Sequence, residues 1–194
     1  LKEDEHGSTT IQSLYFDTPN YRLIRESIEK PTFKEKLRLR SYGLVGERDL
    51  AFLEMKRKSQ GVVYKRRAKV TEEEAFSFLE YKNDGYDNQI FKELKYFRDF
   101  YKDLKPVILL LYDREAYYEQ ELRITFDTNI RYRVDNLNLS TSLDGKQLDE
   151  GLIIMEIKTI YSMPLLLVEL LRNNNMYNSS YSKFGTAYRK IISK

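Results

Sequence analysis

The segment from Phe33 to Tyr42 reads FKEKLRLRSY, and its strict alternation constrains the fold more than any other stretch of the chain. Successive side chains of a β-strand point to opposite faces, so Lys34, Lys36, Arg38 and Arg40 share one face while Phe33, Glu35, Leu37 and Leu39 share the other. A single amphipathic strand with its basic side in water is common and implies nothing by itself. Repetition changes that reading. Glu54, Lys56 and Lys58 share a face opposite Leu53 and Met55, and Lys65, Arg67 and Lys69 share a face in the next run. Arg114, then Arg123 with Thr125 and Asp127, then Glu156 with Lys158, continue the theme. Cations directly opposite one another across strands repel, so the repeated alignment calls for acids or a bound anion between them. Turned inward, such faces make a charged channel inside a closed antiparallel barrel, with the apolar faces covered by helices outside.

Turn and cap signals punctuate the strands. The run Ile11 to Phe16 stops at Asp17-Thr18-Pro19-Asn20, and Ser59-Gln60-Gly61 separates the runs Ala51 to Lys58 and Val62 to Val70 as a hairpin connection. Further strands are expected at Val107 to Tyr118, Glu121 to Asp127, Ile130 to Val134 and Leu152 to Thr159. Helices are expected over Tyr21 to Glu26, then from the capping-box pair Thr71 and Glu74 to Tyr81, and from Asn88 to Asp103. Another helix follows Pro164 with an apolar stripe of Leu166, Leu167, Leu170 and Leu171, and a short one covers Phe184 to Ile192. Helices inserted among mainly antiparallel strands give an α+β fold in one domain spanning 1–194.

Composition removes several chemistries. Without cysteine, and with His6 as the only histidine, thiol catalysis and zinc or histidine-based sites have no residues to use. His6 itself reads as a solvated residue. With 33 basic and 30 acidic residues, a strong positive field must come from placement rather than excess. No apolar run approaches the roughly 18 residues of a membrane span, which leads to the expectation of a cytoplasmic domain with no membrane segment. The basic stripes alternate with Leu, Met and Ile instead of aromatic stacking platforms, so nucleic acid is not the expected partner.

A channel lined by Lys and Arg suits a polyphosphate, with Arg gripping phosphate oxygens bidentately and Lys supplying point charge. Glu54 and Glu156 would repel phosphate. Either a divalent cation bridges carboxylate and phosphate, or the two are structural salt bridges to neighbouring Lys.

Seven segments carry a resemblance: SLYFDTPNY from Ser13, KLRLRSYG from Lys36, FLEMK from Phe52, YDR from Tyr112, RITFDT from Arg123, MEIK from Met155 and YSKFG from Tyr181. In this order they resemble the VTC domain, the polyphosphate polymerase domain of the vacuolar transporter chaperone family, within the triphosphate tunnel metalloenzyme (CYTH-like) superfamily. The resemblance implies a closed tunnel barrel that makes polyphosphate from ATP with a divalent metal, Mn²⁺ preferred or Mg²⁺. It implies a catalytic set of Arg38, Arg40, Lys56, Arg114, Arg123 and Lys183. Lys34, Lys36, Lys65, Arg67, Tyr112, Lys158 and Ser182 would add phosphate contacts, and Glu156, with Glu54 as second candidate, would hold the metal. ATP and polyphosphate are the implied partners; a membrane-associated recipient of the product is left open. Family members begin with an additional strand that has no counterpart before Ser13, so the chain is expected to be truncated at its N-terminus relative to the family and its barrel to lack a first strand. Ser180 stands where some relatives carry another lysine.

Overall fold

A computed structural model of the protein describes residues 1–3, 7–29 and 31–192; His6 lies outside the described residues. The elements run β1 (Lys2–Glu3), β2 (Thr9–Asp17), α1 (Arg22–Glu29), β3 (Phe33–Tyr42), β4 (Ala51–Ser59), β5 (Val62–Val70), α2 (Glu72–Leu79), α3 (Gln89–Tyr101), β6 (Lys105–Glu119) and β7 (Leu122–Arg133). They continue with β8 (Lys146–Gln147), β9 (Ile154–Thr159), α4 (Leu165–Asn173), α5 (Lys183–Ala187) and a π-helical turn, Tyr188–Ile192. The strands form one antiparallel sheet in the order β5-β4-β3-β2-β6-β7-β8, with β1 on β6 and β9 on β7.

The local signals act as expected. Gln60 and Gly61 both take positive φ (48° and 85°) in the two-residue turn joining β4 to β5, which matches the right-handed twist of the flanking strands. The Thr71 hydroxyl accepts from the Glu74 amide while Glu74 accepts from the Thr71 amide, closing the capping box at α2. Asp17 does more than end a strand. Its carboxylate accepts from the amides of Thr18, Leu23 and Ile24 and so anchors the start of α1.

Leu37, Leu39, Leu53 and Met55 bury the apolar face of β3 and β4 against Phe78 and Leu79 of α2 and Phe91, Leu94 and Phe97 of α3. Glu35 lies on that face and is satisfied there by Arg57 (2.6 Å) and the Tyr101 hydroxyl (2.9 Å). A second core forms on the opposite, ionic face of β2 and β6, where Ile11, Tyr15, Ile108 and Leu110 meet Ile24 of α1 and Phe184 and Ala187 of α5.

Four expectations need correction. The sheet is not closed by hydrogen bonds: among the described residues β5 pairs with β4 and β9 with β7, and β5 and β9 do not pair with each other. The helices are not all outside, because Phe184 of α5 stacks on Tyr15 at 4.5 Å on the ionic face; small and aromatic residues at the helix contact let it sit against the sheet there. The two strands expected between Glu121 and Val134 are one, β7, in which Asn129 takes positive φ (49°) at an irregularity in the pairing with β6. The expected apolar stripe of α4 is not buried, and Leu165, Leu166 and Leu170 are all exposed. A short strand, β1, does precede Ser13, but it pairs Lys2 with Tyr118 and Glu3 with Tyr117 at the far end of β6 rather than closing the sheet.

Candidate phosphate-binding face

The pairing register sorts the ionic residues into rows across the sheet. One row runs Lys36, Lys56, Lys65. The next runs Tyr15, Arg38, Glu54, Arg67, and the one beyond it Ser13, Arg40, Phe52, Lys69. On the other side of β2 the rows are Arg114 with Asp127, then Ala116, Thr125 and Glu156, then Tyr118, Arg123 and Lys158.

Glu54 organises the first group. It is 1% exposed and accepts from Arg38 (Nε, 2.8 Å), Arg67 (Nε, 2.8 Å) and Lys65 (Nζ, 2.8 Å). Burial alone would raise its carboxyl, yet Arg38, Lys65 and Arg40 together hold it down at about 2. Both oxygens face cations, so Glu54 neutralises the wall, the ion-pair arrangement that was one of its two expected roles. Arg67 also lies 4.3 Å over the Phe52 ring. The row of Lys36, Lys56 and Lys65 gains only the Lys65 contact to Glu54 from the acids; Lys56 is exposed and ion-pairs with no acid among the described residues. Burial and the neighbouring Lys56, Lys34 and Arg38 charges push the Lys36 ammonium below its ordinary range.

Asp127 organises the second group. It is 2% exposed, takes a bidentate pair from Arg114 (2.5 and 2.8 Å) and accepts from Lys183 at 2.6 Å. Burial acts to raise its carboxyl, but the Arg114 and Lys183 contacts win and lower it.

Tyr112 joins the two groups. Its hydroxyl accepts from Arg40 at 2.9 Å, while Arg114 and Lys183 lie 5.3 and 4.3 Å over its ring. Lys36 reaches the Ser182 hydroxyl at 3.3 Å, and Ser182 in turn caps α5 by accepting from the Gly185 amide. Thus β2, β3, β6 and α5 bring Lys36, Arg38, Arg40, Tyr112, Arg114, Ser182 and Lys183 together. Lys34 contacts the Ser27 carbonyl of α1 at 3.4 Å, towards one end of the face. Arg123 and Lys158 lie directly opposite each other at the other end, where Lys158 pairs with Glu156 at 3.2 Å.

Sequence reasoning missed Tyr15 and gave Asp127 only a place on a strand face. The Tyr15 hydroxyl accepts from Arg38 at 3.2 Å. Burial pushes its phenol up, but the charges of Arg38, Lys36 and Arg40 outweigh it and bring the pKa down to about 8. Its position between β3 and β6 in the register is the signal that reveals it, and that register is invisible in sequence.

The metal-binding capacity of the face is small. Among the described residues no group of three His, Cys, Asp or Glu could hold an ion. Glu156 pairs with Lys158 at 3.2 Å but is exposed, which leaves it accessible as the one carboxylate through which a Mg²⁺ or Mn²⁺ ion could be held together with substrate phosphates.

The chain is α+β, with one large antiparallel sheet carrying this ionic face. The chain belongs to the VTC domain family, whose sequence pattern it matches over residues 1–192. Its fold is similar to that of a Bacillus halodurans protein provisionally assigned as an adenylate cyclase, with TM-score 0.57, 14% identity, and 97% of this chain and 85% of that chain covered. A protein from Pyrococcus horikoshii OT3 matches with TM-score 0.48 and 13% identity over 97% of this chain and 88% of its own. No curated protein matches the chain. No helix among the described residues is long and apolar enough to cross a membrane.

Proposed function

We propose that this domain is a polyphosphate polymerase that transfers the terminal phosphate of ATP to a phosphate or polyphosphate acceptor. The observation that carries the reading is the cross-strand row Lys36, Lys56 and Lys65 beside the Arg38 and Arg40 guanidiniums. Like charges abreast in a sheet destabilise it, and a chain of phosphates laid along the strands answers several rows at once. Arg38 and Arg40 would clamp the transferred group, with Lys183 and Arg114 reaching it from the Asp127 side, Lys34, Arg67 and Ser182 adding contacts along the chain, and Arg123 and Lys158 holding phosphates at the far end of the face. Glu156 would hold the Mn²⁺ or Mg²⁺ ion, which supplies charge neutralisation when bound.

The acceptor is an ionised phosphate oxygen and needs no general base, so the protein's work is positioning and electrostatic stabilisation. Hydrolysis by the same face would benefit from a base to activate water. Glu54 ionises at about 2 and Asp127 below its ordinary range, both tied to cations, which makes them weak bases. Incubation with ATP and Mn²⁺ should therefore yield acid-insoluble polyphosphate. Release of single phosphates without chain growth would replace this reading with a triphosphatase, and no turnover with retained polyphosphate binding would replace it with a binding module.

A further inference from the structure

Among the buried polar groups of the ionic face, one is left without a partner. Thr125 is 5% exposed, and its hydroxyl makes no hydrogen bond among the described residues. A buried hydroxyl left unsatisfied has given up its hydrogen bonds to water without replacement, which is unfavourable. Valine has nearly the same shape and at least as strong a preference for strands, so packing gives no reason for a hydroxyl at this position. The surroundings give one. Thr125 sits directly between Ala116 of β6 and Glu156 of β9, and Arg123 and Asp127 flank it two residues away on the same face of β7. Arg114 lies one row along, opposite Asp127.

We infer that the Thr125 hydroxyl is a substrate ligand, donating a hydrogen bond to a phosphate oxygen held between Arg114 and Arg123. Phosphate oxygens at neutral pH only accept, and a hydroxyl is the one side chain in this row that can donate without adding charge. Arg114 is fixed by its bidentate contact to Asp127, so a neutral donor beside it sets where along the row the phosphate settles. The inference rests on the phosphate-binding reading above and adds to it a contact that the cation pattern does not indicate.

The test is equilibrium binding of tripolyphosphate in the presence of EDTA, with thermal unfolding measured on the same samples. T125V should bind about tenfold or more weakly, the effect of losing a hydrogen bond to a charged group, whereas T125S should stay close to the unsubstituted chain. Without ligand, T125V should melt at the same temperature or higher, because an unsatisfied hydroxyl has been removed. A purely structural threonine would show the reverse, a lower melting temperature with affinity retained, and that result overturns the inference. Equal affinity of T125V and the unsubstituted chain overturns it as well, while leaving the phosphate-binding reading intact. If the unsubstituted chain binds no tripolyphosphate, the parent reading falls and this inference with it. Should T125V fail to fold, T125A removes the same hydroxyl and is judged by the same affinity criterion.

Discussion

Two carboxylates each gather cations on the same face of one sheet, yet they do so in different ways. Glu54 draws on three partners, of which Lys65 and Arg67 belong to the edge strand β5 and are 41% and 37% exposed. Asp127 has two, Arg114 and Lys183, which are 18% and 17% exposed and come from a central strand and from α5. Desolvation makes each contact around Asp127 stronger and leaves those partners with less freedom to move. The Glu54 wall is wide, wetter and carries the surplus of lysines. The difference separates a rigid anchor that positions α5 from an adaptable cationic surface along which a chain of phosphates can be held.

Asp127→Asn should have the largest effect. It strands two nearly buried cations and detaches α5, so unfolding free energy should fall by about 3–5 kcal/mol, read from denaturant melts. A loss below 1 kcal/mol would mean that the two hubs do not differ in the way described. Arg40→Ala comes next. Arg40 bonds Ser13 and Tyr112 but no acid, so stability should fall by about 1–3 kcal/mol, less than at Asp127, while polyphosphate synthesis falls on the order of 10²–10³-fold, the usual effect of removing one donor from a preorganised site.

Glu54→Gln should cost less than Asp127→Asn, about 2 kcal/mol, since solvent screens Lys65 and Arg67 once the carboxylate is gone. Tripolyphosphate should restore more of the loss here than at Asp127, because its oxygens can take the place of Glu54 on this open wall; equal rescue of both variants would erase the distinction. The Glu54 carboxyl has its ordinary value of 4.5 lowered to about 2 on folding. Its contribution is therefore complete above about pH 4.5 and lost as pH falls towards 2, and the acid limb of a stability curve should flatten in Glu54→Gln.

The smallest effect belongs to Tyr15. Its ordinary value of 10.0 drops to about 8 in the folded chain, so ionisation adds stability as pH rises from 8 to 10 and that gain is lost below. Tyr15→Phe should remove this rise and also abolish one tyrosinate absorbance change centred near pH 8. An unaltered spectrophotometric titration would show that Arg38, Lys36 and Arg40 do not act on this phenol.

The same contrast explains how much could be read in advance. The three strands of the Glu54 wall were legible because Lys34 to Arg40, Glu54 to Lys58 and Lys65 to Lys69 each carry a charge at every second position, a pattern local to each segment. The Asp127 anchor was less legible. Asp127 sits in RITFDT like any strand acid, and nothing near it in sequence announces Arg114 or Lys183, which is 56 residues away. The two open roles of Glu54 have a related cause. A carboxylate followed two residues later by lysine reads equally as a metal ligand or an ion pair, until Arg38, Lys65 and Arg67 are seen to occupy both its oxygens.

What the sequence determined by itself was the set of elements and the chemistry of their faces, because alternation, the Thr71 capping box and the Gln60-Gly61 turn act over a few residues. It also carried the family, through motifs spread along the chain. The tertiary structure alone decided which acid neutralises which cation, that Tyr15 and Tyr112 join the two groups, that α5 packs on the ionic face, and that hydrogen bonds leave β5 and β9 apart. Those outcomes depend on the register between strands distant in sequence, such as Tyr15 beside Arg38 and Arg114 beside Asp127. A shift of one residue in that register would turn every one of these side chains to the other face.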